Sequence, residues 1–366
     1  MAPPISEAQV LEALQPIQDP DFKKSIVDLN FIKNLRIEGD RVSFDIELTT
    51  PACPVKAEFE RAARENVAAL DGVSEVEVRM TSNTRQASSP IQEQILLPGV
   101  KNMLAVASGK GGVGKSTTAL NLALALKQAG ARVGLLDADV YGPSLPLLAG
   151  TTGRPLTSEN QRILPLEGYG LKLMSMGFFL TEDSPVIWRG PMVHGLIKQF
   201  LTDVAWGELD YLIVDLPPGT GDAALTLTQL APLSGALIVT TANDLSLIDA
   251  RKGLEMFRKV NVPILGIVEN MSYFTPPELP DKKYYLFGQG GGRRVADELK
   301  VDFLVEIPID PKMADFSDRG EPVVVAAPES ESSSVYKKLA GDVARRLAKL
   351  SIEAGPSAMT DLTWAS

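Results

Sequence analysis

The sequence predicts an α/β protein in which a doubly wound, mostly parallel sheet is preceded by a small α/β domain. From residue 100 onward, near-continuous aliphatic segments alternate with helical ones, which is typical of parallel strands covered on both faces. In residues 7–80, apolar and polar side chains alternate, as in a half-buried sheet. A glycine-rich run at 109–117 then joins a predicted strand to a predicted helix.

The small domain is predicted to span residues 1–82. Its predicted elements are a helix at 7–14, a strand at 41–48, a helix at 55–70 and a strand at 73–79. Residues 83–98 are rich in Ser, Thr, Gln and Pro and are predicted to be a linker.

The large domain is predicted to span residues 99–350, and residues 351–366 are expected to form a flexible tail. The clearest predicted strands are 103–108, 132–139, 209–215, 236–240 and 262–268, and the clearest helices are 115–128 and 335–350.

Composition and charge exclude several classes of protein. The 366 residues carry a net charge of −10 without a basic cluster, so nucleic acid is not an expected partner. No apolar run is long enough to cross a bilayer, and the first residues lack the pattern of a signal peptide, so no membrane partner is expected. Cys53 is the only cysteine, which rules out an intrachain disulfide and favours the reducing cytoplasm.

The run at 109–117 fits the phosphate-binding pattern G-x-x-x-x-G-K-[ST]. Glycines let several backbone N–H groups converge on a polyphosphate, and the following helix N-terminus adds its dipole. The pattern predicts that Lys115 reaches the terminal phosphates of ATP and that Ser116 binds Mg²⁺. The predicted nucleotide-binding residues are Gly109, Lys110, Gly111, Gly112, Val113, Gly114, Lys115, Ser116 and Thr117.

Acidic side chains follow two of the predicted strands. Ligands bind at the carboxyl ends of the strands in a doubly wound sheet, where Asp137, Asp139 and Asp215 are expected. An apolar strand that ends in an aspartate is typical of the carboxylate that holds Mg²⁺ in a P-loop NTPase. Asp215 is therefore a predicted Mg²⁺ ligand, and Asp137 is predicted to lie on the metal side of the site.

The run from Lys110 to Thr117 resembles the deviant Walker A motif of the ParA, MinD, nitrogenase iron protein and Mrp superfamily. The resemblance implies a homodimer in which Lys110 contacts the phosphates bound by the other subunit. It also implies that Lys110 and Lys115 act in catalysis and that Asp139 positions the attacking water. Asn270 matches the position that hydrogen-bonds the adenine edge.

Four further runs resemble the Mrp (ApbC) family of iron–sulfur cluster carrier ATPases: 137–146, 188–194, 215–222 and 269–274. This resemblance covers about residues 98–350. Residues 7–80 independently resemble the small domain of SufT-like iron–sulfur assembly factors, and the run 48–54 carries that match. Together they imply a carrier that hydrolyses ATP and transfers iron–sulfur clusters to apoproteins, with assembly factors as further partners.

The chain departs from the Mrp pattern where many members carry a C-x-x-C pair, because residues 274–287 contain no cysteine. A cluster usually has four thiolate ligands, whereas a dimer of this chain supplies two. Either Cys53 binds a cluster together with outside ligands such as glutathione, or no cluster is held stably. Cys53 directly precedes Pro54, which is expected at the first position of the next helix, where a thiolate is favoured.

Two other functions remain open from the sequence: an ATP-timed assembly scaffold that holds no cluster, and a spatial regulator of the MinD/ParA class. His194 is interpreted as a packing or interface residue rather than a ligand. The glycine-rich run 288–292 precedes a helix and is read as a turn, with a second anion site as the alternative.

Overall fold

A computed structural model describes residues 5–20, 22–84, 97–180 and 190–353. Most of the predicted linker (85–96) and of the predicted tail (354–366) lies outside the described residues, as do Trp188 and Arg189 of the run 188–194. The chain divides into two compact units, residues 1–85 with 344–366 and residues 86–343. The predicted boundaries at 82, 98 and 350 remain predictions.

The first unit is built on a three-stranded sheet of order β3-β4-β5. Its elements are α1 (Glu7–Leu14), β1 (Gln18–Asp19), β2 (Lys24–Ser25), β3 (Ile32–Glu38), β4 (Arg41–Leu48), α2 (Lys56–Ala68) and β5 (Glu75–Ser82). β3 and β4 are antiparallel, whereas β4 and β5 are parallel and joined through α2. The inward residues of β4 form the core with α1 and α2: Val42, Phe44, Ile46 and Leu48.

The second unit contains an eight-stranded sheet. Its elements are β6 (Val100–Ser108), α3 (Lys115–Gln128), β7 (Val133–Asp137), α4 (Leu145–Leu148), β8 (Leu166–Gly168), β9 (Leu171–Ser175), α5 (Gly190–Thr202), β10 (Leu209–Asp215), α6 (Asp222–Leu230), β11 (Gly235–Thr240), α7 (Asp244–Lys259), β12 (Ile264–Glu269), α8 (Gly291–Leu299), β13 (Phe303–Glu306), α9 (Pro311–Asp318) and α10 (Val323–Ala326). The last helix, α11 (Glu331–Glu353), begins in this unit, and its residues from 344 onward belong to the first unit. The last helix extends into residues 351–353 of the predicted tail.

The strand order is β13-β12-β11-β6-β10-β7-β9-β8, and every pairing is parallel except that of the edge strand β8 with β9. The predicted fold class is therefore confirmed. Every residue of β7, β10 and β11 is buried, as expected for strands that have helices on both faces. No helix among the described residues is both long and apolar enough to cross a membrane.

Candidate functional site

The predicted phosphate-binding run lies where the sheet requires it, between the end of β6 and the start of α3. Gly112 (φ 80°) and Gly114 (φ 79°) occupy the left-handed region of backbone conformation, which glycine adopts without steric cost. Gly114 is also the N-cap residue of α3. The loop therefore turns its backbone into the N-terminus of a helix, the arrangement that binds phosphate.

Gly109 is required for a different reason, which is close packing. A Cβ atom at Gly109 would lie 2.2 Å from the carbonyl carbon of Asp249 and 2.5 Å from the backbone nitrogen of Ala250, both in α7. At Gly111, by contrast, a Cβ atom would meet nothing within 4 Å. The first glycine of the motif, Gly109, thus permits close packing against α7, whereas the third residue, Gly111, has open space beside it.

We expect Gly109→Ala to destabilise the protein by about 1–3 kcal/mol, because the added methyl group must displace the backbone of α7 or of the loop. Thermal unfolding followed by circular dichroism measures the effect. Gly111→Ala is the matched control and should shift stability by less than about 0.5 kcal/mol. Equal unfolding midpoints for the two variants would contradict the packing argument.

Asp137 and Asp215 lie side by side at the carboxyl edge of the sheet, because they are paired residues of the parallel strands β7 and β10. Both are buried, with 1% and 3% of their surface exposed. Lys115, also buried, forms an ion pair with Asp215 and donates to Ser116 Oγ at 3.2 Å. Asp137 accepts from Ser175 Oγ at 2.9 Å.

The charges of this cluster do not balance, because two buried carboxylates face one ammonium group. Burial and, after it, the charge of Asp215 raise the pKa of Asp137 to about 7. Burial also raises the pKa of Asp215, while Lys115 opposes the rise. The hydroxyl of Ser116 also lowers the pKa of Asp215. Oxygen donors with excess negative charge suit Mg²⁺, so the residues predicted to hold it fit that ion.

Asp139 follows the end of β7 by two residues and is half-buried. Its Oδ1 accepts from the backbone N–H of Gly142 at 3.2 Å, and its own N–H donates to Asp137 Oδ1 at 3.1 Å. The side chain lines a cavity of about 770 Å³. Pro217 and Pro218, from the loop after Asp215, line the same cavity. Asp139 is therefore fixed at the rim of the cluster with access to solvent.

His194 lines this cavity too, on α5. The interpretation of His194 as a packing or interface residue does not account for this position, because the imidazole shares a solvent-accessible cavity with Asp139. Two sequence signals pointed to His194: it is the sole histidine of the chain, and it ends the run 188–194. Neither signal connected it with the loop after Asp137.

Lys110 is half-buried in the phosphate-binding loop, and its carbonyl accepts from Ser108 Oγ at 2.9 Å. Within the described part of the chain, no residue forms an ion pair with its ammonium group. The amide of Asn270 is fixed against the same loop, since its Nδ2 donates to the carbonyl of Val113 at 2.8 Å. No described residue donates to Asn270 Oδ1, so that acceptor remains for another group.

Cys53 lies half-buried against the apolar core of the first unit. The expectation that Pro54 opens the following helix is wrong, because α2 begins at Lys56 with Val55 as its N-cap. A turn closed by the Lys56 N–H and the Cys53 carbonyl, at 3.3 Å, delays the helix. The described residues contain no group of three or more His, Cys, Asp or Glu that could hold a metal ion.

The glycine-rich run 288–292 bends at its first residues and enters α8 at Gly291, and it holds a carboxylate of the chain itself. Glu269, fully buried, accepts from the backbone N–H of Gly292 at 2.6 Å in the first turn of α8. The side chain of Glu269 thus occupies the position where the alternative hypothesis placed a second bound anion.

Comparison with known proteins gives two matching family models. A model described as ParA, NUBPL iron-transfer P-loop NTPase, matches residues 99–344. A second, described as iron-sulfur cluster assembly protein, matches residues 7–78. The first match contains the phosphate-binding loop and the buried carboxylates, and the second contains Cys53.

Individual proteins agree with these models. The chain is 50% identical over 342 residues to an iron-sulfur cluster carrier protein of Synechocystis, covering 92% of this chain and 97% of that protein. It is 48% identical over 276 residues to the iron-sulfur cluster transfer protein NUBPL of Mus musculus, covering 75% and 86%. Among solved structures, a nucleotide-binding protein of Archaeoglobus fulgidus in complex with ADP aligns with a TM-score of 0.58 at 41% identity, covering 66% and 93%.

Proposed function

Because this chain belongs to the family of NUBPL iron-transfer P-loop NTPases, we propose that it is an ATP-hydrolysing carrier that transfers iron–sulfur clusters to apoproteins. The observation that carries the proposal is the buried cluster of Lys115, Asp137 and Asp215 at the phosphate-binding loop. The relatives named as carriers and the match of residues 7–78 to an iron–sulfur assembly protein support the cargo.

In the proposed nucleotide cycle, the loop amides and α3 hold the phosphates of ATP, and Lys115 moves from Asp215 to the terminal phosphates. Ser116, Asp215 and Asp137 would hold Mg²⁺, which when bound neutralises charge on the phosphate oxygens. Asp139 orients the attacking water, a role supported by its fixed position on the solvent-accessible cavity.

The proposal includes a homodimer. In it, Lys110 reaches the phosphates bound by the other subunit and supplies positive charge there. This role is supported by the Lys110 ammonium group, because no described residue forms an ion pair with it. Closing and reopening of the dimer would then couple hydrolysis to the affinity for cargo or target.

Cys53 is the one thiolate that each subunit can offer to a cluster. A dimer supplies two of the usual four ligands, so outside thiols such as glutathione would complete the set. Such a site suits a cargo that must leave again, since borrowed ligands exchange with those of the target. The proposed location is the cytoplasm, where a single reduced thiol is stable.

We expect Cys53→Ala to lose the visible absorption and the bound iron and sulfide that the wild-type protein acquires on anaerobic reconstitution with glutathione. Iron and sulfide per dimer, read beside the spectrum, measure the effect. ADP binding serves as the control and should be equal in the two proteins, because Cys53 lies outside the nucleotide-binding unit. A chromophore that persists in the variant would exclude Cys53 as a ligand.

The ATP-timed scaffold is the second candidate. The absence of cysteine in residues 274–287 is the observation that keeps it as a candidate, whereas the relatives named as carriers favour the first function. Reconstitution distinguishes the two, since a scaffold would acquire no cluster as wild type or as Cys53→Ala. Pull-downs would then recover stable partners without iron passing through this protein.

A further inference from the structure

The turn that holds Asn270 against the phosphate-binding loop contains an unfavourable backbone conformation. Met271, the next residue, has φ 53°, a left-handed conformation that a residue with a side chain adopts only at a cost. The backbone N–H of Asn270 donates to the carbonyl of Thr240 at 2.7 Å. These two features direct the amide of Asn270 toward Val113. Because the backbone conformation of Met271 is unfavourable, the turn needs additional stabilising contacts.

Glu269 provides that stabilisation from the end of β12. Its Oε1 accepts from Ser272 Oγ at 2.6 Å, which closes the turn across Asn270 and Met271. Its Oε2 accepts from the N–H of Gly292 at 2.6 Å, which joins the turn to the N-terminus of α8. Both Glu269 and Ser272 are fully buried, so water does not compete for these bonds.

Gly292 of α8 leaves room for this carboxylate, and Gly291 leaves room for the backbone of Ala242. A Cβ atom at Gly292 would lie 2.9 Å from Glu269 Oε2, and one at Gly291 would lie 2.3 Å from the carbonyl of Ala242. The positive end of the helix dipole favours a carboxylate at this place. Glu269 thus ties together strand, turn and helix around Asn270.

We propose that Glu269 is a positioning residue for nucleotide-base recognition, which fixes Asn270 so that its Oδ1 accepts from the amino group of adenine. The inference rests on the proposed binding of ATP. Asn270 Nδ2 is already committed to Val113, so rotation of the amide would lose that bond as well. Guanine carries a carbonyl oxygen where adenine carries the amino group, and it would face the Asn270 oxygen unfavourably.

The test compares ADP with GDP on the full chain by titration calorimetry in the presence of Mg²⁺. The wild type should prefer ADP. Ser272→Ala removes one of the two bonds and should lower the ratio of the two affinities by roughly threefold, and Glu269→Ala should lower it by roughly tenfold. GDP affinity should stay unchanged, because the phosphate contacts remain.

Glu269→Gln should retain most of the preference. Its amide oxygen can accept from Gly292, and its amide nitrogen can donate to Ser272 once the hydroxyl reverses. Two variants serve as matched controls. Glu306→Gln changes a carboxylate that ends the neighbouring strand in register with Glu269, and Ser234→Ala changes another buried serine. Ser234 directly precedes β11. Both variants should keep the wild-type ratio of ADP to GDP affinity.

A purely structural role for Glu269 would weaken ADP and GDP alike and leave their ratio unchanged, which would overturn the inference. If Glu269→Ala does not fold, Ser272→Ala decides the question alone, since it removes one buried hydroxyl. A wild-type protein that binds neither nucleotide would overturn the proposed function together with the inference. A lower ratio of ADP to GDP affinity in Glu269→Ala, with intact hydrolysis at saturating ATP, would support both the inference and the proposed function.

Discussion

Lys115→Ala is expected to lower the rate of ATP hydrolysis at least about a hundredfold, because the variant lacks the ammonium group that meets the terminal phosphates. It should also leave Asp137 and Asp215 buried without their shared cation, and stability should fall by about 3–5 kcal/mol. Phosphate release and thermal unfolding measure the two effects. Cluster delivery should then no longer respond to ATP.

Lys312→Ala is a suitable control, because Lys312 is an exposed lysine of α9 in the same unit. It should retain hydrolysis, stability and ATP-dependent delivery. Delivery by Lys115→Ala that still responds to ATP as in the wild type would contradict the proposed coupling, even if hydrolysis were lost. Cys53 chemistry should be intact in both variants, which separates cargo binding from the nucleotide cycle.

Asp139→Asn is expected to lower the hydrolysis rate by about 10²–10⁴, the usual contribution of a group that positions or activates the attacking water. ATP affinity should change little, since Asp139 bonds to the backbone of its own loop rather than to Lys115 or Ser116. The ATP-bound dimer should therefore accumulate. Phosphate release measures the first effect, and light scattering with ATP measures the second.

Asp244→Asn is the comparison variant, because Asp244 is an exposed aspartate at the start of α7 that forms an ion pair with Arg294 on the protein surface. Its hydrolysis rate should equal that of the wild type. If Asp139→Asn hydrolyses ATP at the wild-type rate, another group positions the water, and the imidazole of His194 on the same cavity becomes the next residue to replace.

The elements that the sequence predicted well are those whose pattern is local. The strand at 41–48 is found at the predicted bounds, since its alternation is uninterrupted. β3 went unpredicted because a register shift between Lys33 and Arg36, with Asn34 at φ 52°, breaks the alternation that would have indicated it. The bulge changes which face each side chain occupies, and a pattern of period two cannot follow that change.

Contacts between residues far apart in the sequence limited the prediction of the site. The phosphate-binding run and Asp215 could be found because each motif is continuous in sequence. The bond between Glu269 and Gly292 spans 23 positions, and only the fold brings the two together. The prediction that Pro54 begins the next helix was wrong for a local reason. Proline favours the first turn of a helix, but here the turn at Cys53 comes before the helix.

The ion pair between Lys115 and Asp215 also couples the entry of the metal ion to the entry of the nucleotide. A divalent ion that came alone would have to displace a buried ammonium group from its carboxylate. The magnesium complex of a nucleotide brings phosphate oxygens that receive the lysine as the carboxylate turns to the metal. Metal and nucleotide should therefore enter together, which would shield this pocket from stray metal ions in a protein proposed to carry iron–sulfur clusters.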